Sequence, residues 1–88
     1  MSETKTETTA RPTNAEIVEW CRNYVGRVLN MPAEKIDPTV EFEALGLDSA
    51  VAVALVAEVG AWLNMDLEPA VLFEYPTIAS FADHLSQR

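Results

Sequence analysis

Apolar positions recur at helical spacing in three stretches of this chain, and caps mark where each begins. Thr13-Asn14-Ala15-Glu16 fits a capping box, with Thr13 as N-cap and Glu16 reaching back to it. Behind it Ile17, Cys21, Tyr24 and Val28 recur, flanked by Val18, Trp20, Val25 and Leu29, which predicts a first helix to about Asn30. Cys21 falls inside this stripe and reads as a buried, inert thiol. A second helix is expected from Ser49, with Asp48 as N-cap, to about Asn64, a residue that tolerates the left-handed turn closing a helix. Glu68-Pro69 should start a short third helix, Ala70 to Glu74. Pro76 ends it, and Thr77 caps a last helix from Ile78 to about Gln87, whose buried stripe is Ile78, Phe81, Ala82 and Leu85. His84 lies beside that stripe and reads as solvent-facing.

No stretch alternates in the manner of a strand, so the expected fold is all-α: a small, irregular four-helix bundle with a short third helix. Residues 31–48 form a long connection between the first two helices, in which Pro32 could open one helical turn. Ile36, Val40, Phe42, Leu45 and Leu47 are too many apolar residues for a floppy loop and should pin it across the core. Residues 1–12 carry Thr and charge but no large apolar side chain beyond Met1, and read as a disordered tail.

Composition narrows the class. The chain has 88 residues, 49% of them hydrophobic, enough for the core of one small domain. A single cysteine excludes an internal disulfide framework, and no Cys/His grouping has zinc spacing. No apolar run reaches membrane-spanning length and the Met1 end lacks an apolar signal region, so a soluble, intracellular protein is expected. Met1 followed by a polar tail favours a discrete protein or an N-terminal domain. The net charge of -8 argues against a nucleic-acid partner, which needs basic surface. That charge is concentrated: from Glu34 to Glu74 there are nine acids against one base, Lys35, while the remaining residues balance. The stretch is either a solubilising surface or a face that attracts basic partners.

The chemistry turns on "FEALGLDSAVAVALVAEVGAWL", residues 42–63. On a wheel of about 100° per residue, Val51, Leu55, Val56, Val59, Trp62 and Leu63 fall within roughly 140° and form the expected core face. Ser49, Ala50, Val53, Ala54, Ala57, Gly60 and Ala61 lie on the other side, with Glu58 at its edge. Ser49 thus points outward in the first turn. A nucleophilic serine needs a base and oxyanion donors. The one histidine, His84, is far along the chain, and "GLDSA" lacks the second glycine of a nucleophile elbow. Two readings remain at this point: a polar residue in a first turn, or a covalent attachment site whose phosphodiester would lie beside the open amides of a helix N-terminus.

"FEALGLDSAVAVAL" resembles the phosphopantetheine attachment segment of acyl carrier proteins, and "LFEYPTIASFADHL", residues 72–85, resembles the third-to-fourth helix segment of the polyketide-synthase type. Gly46-Leu47-Asp48-Ser49, the apolar helix and Tyr75-Pro76-Thr77-Ile78 occur together at the family's spacing, from about Asn14 to Leu85. The resemblance implies a carrier domain over residues 13–88 with 4'-phosphopantetheine on Ser49. Asp48 caps the helix and marks the serine; peptidyl carriers more often show Gly-Gly-x-Ser there. It further implies a non-catalytic, cytoplasmic, monomeric shuttle of acyl thioesters in polyketide, fatty acid or related biosynthesis. Its partners would be a phosphopantetheinyl transferase and an acyl-loading ligase, acyltransferase or ketosynthase. Family members usually place Leu or Met directly after the serine and an acid five residues after it. Here Ala50 and Ala54 stand there, which makes the docking helix smoother and less acidic. Glu41, Glu43, Glu58 and Glu74 are candidate rim contacts for basic patches, and Ala50, Val53 and Ala54 candidate apolar contacts. The alternatives are a carrier-fold interaction module without a prosthetic group, or a peptidyl carrier.

Overall fold

The computed structural model describes residues 12–87, and the tail expected over residues 1–12 lies outside them except for Pro12. Among the described residues five helices run in order: α1, Asn14–Leu29; α2, Phe42–Leu45; α3, Ser49–Leu63; α4, Val71–Glu74; and α5, Ile78–Ser86. A single 3-10 turn, Ala33–Lys35, comes after Pro32. The four expected helices are all present. The single-turn α2 is additional and sits inside the long connection.

Local chemistry places the helix starts. Thr13 and Glu16 form the expected capping box, with the Glu16 amide donating to Thr13 Oγ1 at 3.2 Å and the Thr13 amide to Glu16 Oε1 at 2.8 Å. Thr77 and Ser80 make the equivalent box at α5. The two long helices end alike. Asn30 and Asn64 adopt left-handed backbone (φ 59° and 56°), and the next amides, of Met31 and Met65, donate back to the carbonyls of Gly26 and Gly60, each at 2.8 Å.

The core is one cluster: Ile17, Cys21 and Val25 from α1, Leu55, Val56 and Val59 from α3, Ile78, Phe81, Ala82 and Leu85 from α5, and Ile36, Phe42 and Leu47 from the connection. Burial pushes the Cys21 thiol up to about 12, as expected of an inert thiol. The connection is held by long-range backbone pairing as well as by its apolar side chains. Phe42 N–H donates to Pro76 O and Ala79 N–H to Pro38 O, both at 2.9 Å, and Glu41 and Thr77 form an isolated antiparallel bridge. Arg22 Nε donates to Ile36 O at 3.0 Å. The Phe42 ring meets Phe81 edge-on, with centroids 6.4 Å apart. Asp37 fixes the bend before Thr39 by accepting from both the Thr39 hydroxyl and amide, which lowers its pKa.

The structure corrects four details of the helix faces. Trp62, expected on the core arc, is 39% exposed and stacks flat on Trp20, with centroids 5.2 Å apart. Gly60, expected outside, is buried, because the reversal after Asn64 lays Met65 and Leu67 over it. Val28 is 43% exposed, since Val25 and Gly26 take the inner positions of the last turns of α1. His84, expected to face solvent, is half-buried with its ring stacked 4.1 Å from that of Tyr75, which ties the end of α4 to α5.

Candidate functional site

Ser49 owes its position to the residues just before it. Gly46 closes α2 in left-handed backbone (φ 101°), and the Leu47 amide donates to Phe42 O at 3.2 Å. Leu47 is 7% exposed and anchors the short loop in the core. The chain leaves that anchor extended at Asp48 (φ -87°, ψ 176°), whose Oδ1 accepts from the Val51 amide at 2.9 Å and caps α3. Ser49 is then the first residue of the helix and is exposed, as the sequence predicts.

A groove of about 390 Å³ opens beside it, between α2, the first turns of α3, and α4. Phe42, Leu47, Ala52, Val53, Pro69, Leu72, Phe73 and Pro76 give its apolar surface, and of these Phe42 and Leu47 are buried in the core. Ser49, Asp48, Glu41 and Glu43 complete the lining, so the polar part of the groove holds three carboxyl groups and no lysine, arginine or histidine.

Of the expected site residues, Ser49, Asp48, Glu41, Glu43 and Val53 thus share one groove. Ala50 and Ala54 are exposed on α3, next to the lining residues in sequence but not part of the groove. Glu58 is exposed farther along α3, nine residues past Ser49 or about 13 Å of helix axis. Glu74 is exposed on α4 and does not line the groove. Phe73, Leu72, Pro69 and Ala52 were not expected at the site from the sequence. A signal for Phe73 exists: Val71, Leu72 and Tyr75 are the inward positions of that short turn, which leaves residue 73 facing away from the core.

The arrangement fits a covalently attached phosphodiester. The Ser49 side chain is exposed. Asp48 occupies the Val51 amide, while those of Ser49 and Ala50, at the positive end of α3, have no acceptor among the described residues. The titratable side chains of the lining are the carboxyl groups of Glu41, Glu43 and Asp48, and the Asp48 Oδ1 is engaged by the Val51 amide. His84 is engaged with Tyr75 instead.

Known proteins match this sequence and this fold. The family described as "Phosphopantetheine attachment site" matches residues 19–85. The polyketide synthase PksL of Bacillus subtilis (strain 168) is 39% identical over 83 residues, which is 94% of this chain and 2% of the synthase. The spectinabilin polyketide synthase system protein NorB of Streptomyces orinoci is 37% identical over 79 residues, 89% of this chain and 4% of that protein. The chain therefore spans only a few hundredths of these relatives' length. Among solved structures, a free-standing peptidyl carrier protein from an Acinetobacter baumannii secondary metabolic pathway aligns with a TM-score of 0.80 and 32% identity, covering 85% of this chain and 94% of that one. An acyl carrier protein from Anabaena sp. PCC 7120 with a variant phosphopantetheinylation-site sequence aligns with a TM-score of 0.82 and 28% identity, covering 96% and 97%.

Proposed function

The chain belongs to the phosphopantetheine-attachment family of carrier domains, and from that premise we propose that Ser49 bears the 4'-phosphopantetheine and that the protein shuttles acyl thioesters between enzymes of polyketide or related lipid and natural-product biosynthesis. The observation that carries this reading is the exposed Ser49 on the first turn of α3, fixed between the Asp48 cap and the core anchor Leu47. When bound, the prosthetic group supplies a thiol on a long arm, which holds an acyl group as a thioester. The chain's own residues address and orient it. Leu47 and Asp48 set the angle at which Ser49 leaves the core, the open Ser49 and Ala50 amides would favour the negative charge of a phosphodiester there, and Glu41, Glu43, Glu58 and Glu74 steer basic partners toward this face. Ala50, Val53 and Ala54 offer close apolar contact on α3. The carrier domain spans residues 13–88, works as a cytoplasmic monomer, and meets a phosphopantetheinyl transferase and an acyl-loading ligase, acyltransferase or ketosynthase.

A peptidyl cargo is the second reading, favoured by the likeness to a free-standing peptidyl carrier. Asp48 before Ser49, together with the polyketide-synthase relatives, supports an acyl cargo instead.

Intact-mass analysis before and after incubation with a phosphopantetheinyl transferase and coenzyme A tests the attachment. The parent should gain one phosphopantetheinyl group. Ser49→Ala should gain none while folding as before, because loss of an exposed first-turn hydroxyl changes stability by no more than about 0.5 kcal/mol. Modification of the alanine variant at another serine refutes the assignment, and an unmodifiable parent would favour the interaction-module reading.

A further inference from the structure

Phe73 is the most exposed large apolar side chain among the described residues, at 88%. A single exposed apolar side chain is ordinary on a protein surface. Phe73 is not single: it lines the same groove as Ser49 and as Val53, itself 46% exposed. Its backbone is well held, since Val71 and Leu72 pack on the core, the Phe73 amide donates to Ala70 O at 3.0 Å, and the Tyr75–His84 stack fixes the end of α4. The Phe73 backbone is therefore held in place while its ring stands in solvent. A solvated aromatic ring on a well-held backbone is the kind of side chain that anchors an interface once a pocket closes over it.

The charge around it selects the occupant. Glu41, Glu43 and Asp48 line the same groove, Glu74 follows Phe73 directly, and no base is among the lining residues. The three described bases, Arg22, Arg27 and Lys35, belong to α1 and the 3-10 turn, and the one ion pair recorded among the described residues joins Arg22 to Glu19. A second copy of this chain would bring acids onto acids, and nucleic acid and anionic lipid are repelled in the same way.

We propose that Phe73, which shares its groove with Glu41, Glu43 and Asp48, is the apolar anchor of a docking surface for a protein that offers an apolar recess rimmed with lysine or arginine, and that the enzyme acting on the Ser49 hydroxyl is such a partner. The proposal rests on the assignment of Ser49 as the attachment residue. An enzyme that reaches the Ser49 hydroxyl must come down on the groove, because Ser49 has no arm of its own before modification. Its footprint then includes the opposite wall, where Phe73 stands. The ring supplies contact that water cannot replace, and the acids raise the rate of encounter.

Steady-state modification of the full chain by a broad-specificity phosphopantetheinyl transferase, with coenzyme A saturating and carrier concentration varied, tests the surface. Phe73→Ser should raise KM for the carrier by about tenfold or more, the loss usual for a central aromatic anchor, with a much smaller change in kcat. Phe73→Leu should recover much of that loss. Glu43→Gln should raise KM less, and its effect should shrink as sodium chloride is added. Thermal melts should show each variant folded like the parent, as expected where the side chain is solvated. A modified parent with an unchanged KM in Phe73→Ser overturns the docking surface and leaves the Ser49 assignment standing. A parent that is not modified at all overturns both. A parent that is dimeric by light scattering, and monomeric on Phe73→Ser, gives the surface to a second copy and overturns the proposed partner.

Discussion

Replacing Gly60 by alanine sets two effects of similar size against each other, and the structure decides their order. In a helix interior the exchange normally stabilises by about 0.8–1 kcal/mol, because alanine loses less backbone entropy on folding. Here a Cβ on Gly60 would stand 2.8 Å from the carbonyl oxygen of Met65, where ordinary contact starts near 3.4 Å, and 3.7 Å from the Leu67 side chain. The obstructing atom is backbone. Met65 is held by its own amide, which donates to Gly60 O at 2.8 Å, and the Met65 and Leu67 side chains pack on the core. Relief therefore means opening the helix end, an overpacking cost of about 1–3 kcal/mol. The net expectation is a loss of about 1 kcal/mol after the propensity gain, or a Tm lower by about 4–8 °C for a domain of this size. Thermal and urea unfolding followed by far-ultraviolet circular dichroism measures it. Ala57→Gly, exposed on the same helix, should cost about 1 kcal/mol and calibrates the propensity effect alone. Gly26→Ala should repeat the Gly60 result, since its Cβ would lie 2.7 Å from Met31 O. A Gly60→Ala protein that melts at or above the parent refutes the close approach, because propensity would then have acted unopposed.

Burial raises the Cys21 thiol from 9.0 to about 12, so the folded chain keeps a proton that the unfolded chain releases. Stability should be whole below pH 9.0 and decline from there to about pH 12, with about 1.4 kcal/mol lost by about pH 10; urea midpoints against pH should show this slope in the parent and not in Cys21→Ala. Ala54→Glu restores the acid common in the family and should speed acyl transfer if docking on α3 is electrostatic. It should slow transfer if that face packs tightly; an undiminished rate for Ala54→Glu, together with a steep fall of the parent's rate from low to moderate salt, would defeat apolar contact there.

The parts legible in the sequence are those whose determinants are local. Thr13 and Glu16, Asp48, and Thr77 state their roles within four residues, and Asn64 with the residues beside it closes α3 as expected. The position of Ser49 comes from Asp48 for the same reason. The single turn of α2 was not legible because Glu41 gives it no side-chain cap, and it is held from a distance by Pro76 O and by Phe81. The orientation of Gly60 depends on the chain reversal after Asn64 and that of Trp62 on a ring from α1, neither of which a wheel of one helix contains. The groove itself joins α2, α3 and α4, so Glu41 and Phe73 become neighbours of Ser49 only through the fold.

The aromatic stack that replaced the expected buried Trp62 also fixes what light reports about this molecule. Trp20 and Trp62 are the chain's two tryptophans, their planes within 9° of parallel, with Tyr24 stacked on Trp20 at 5.5 Å and Arg27 over the Tyr24 ring at 5.7 Å. Indoles this close couple their transitions, so the near-ultraviolet absorption and emission of the protein come mainly from a single spot, the seam between α1 and the far end of α3. That spot is thirteen residues past Ser49, about 20 Å along the helix axis. Its optical signal reads the joining of the two long helices, at the opposite end of α3 from Ser49.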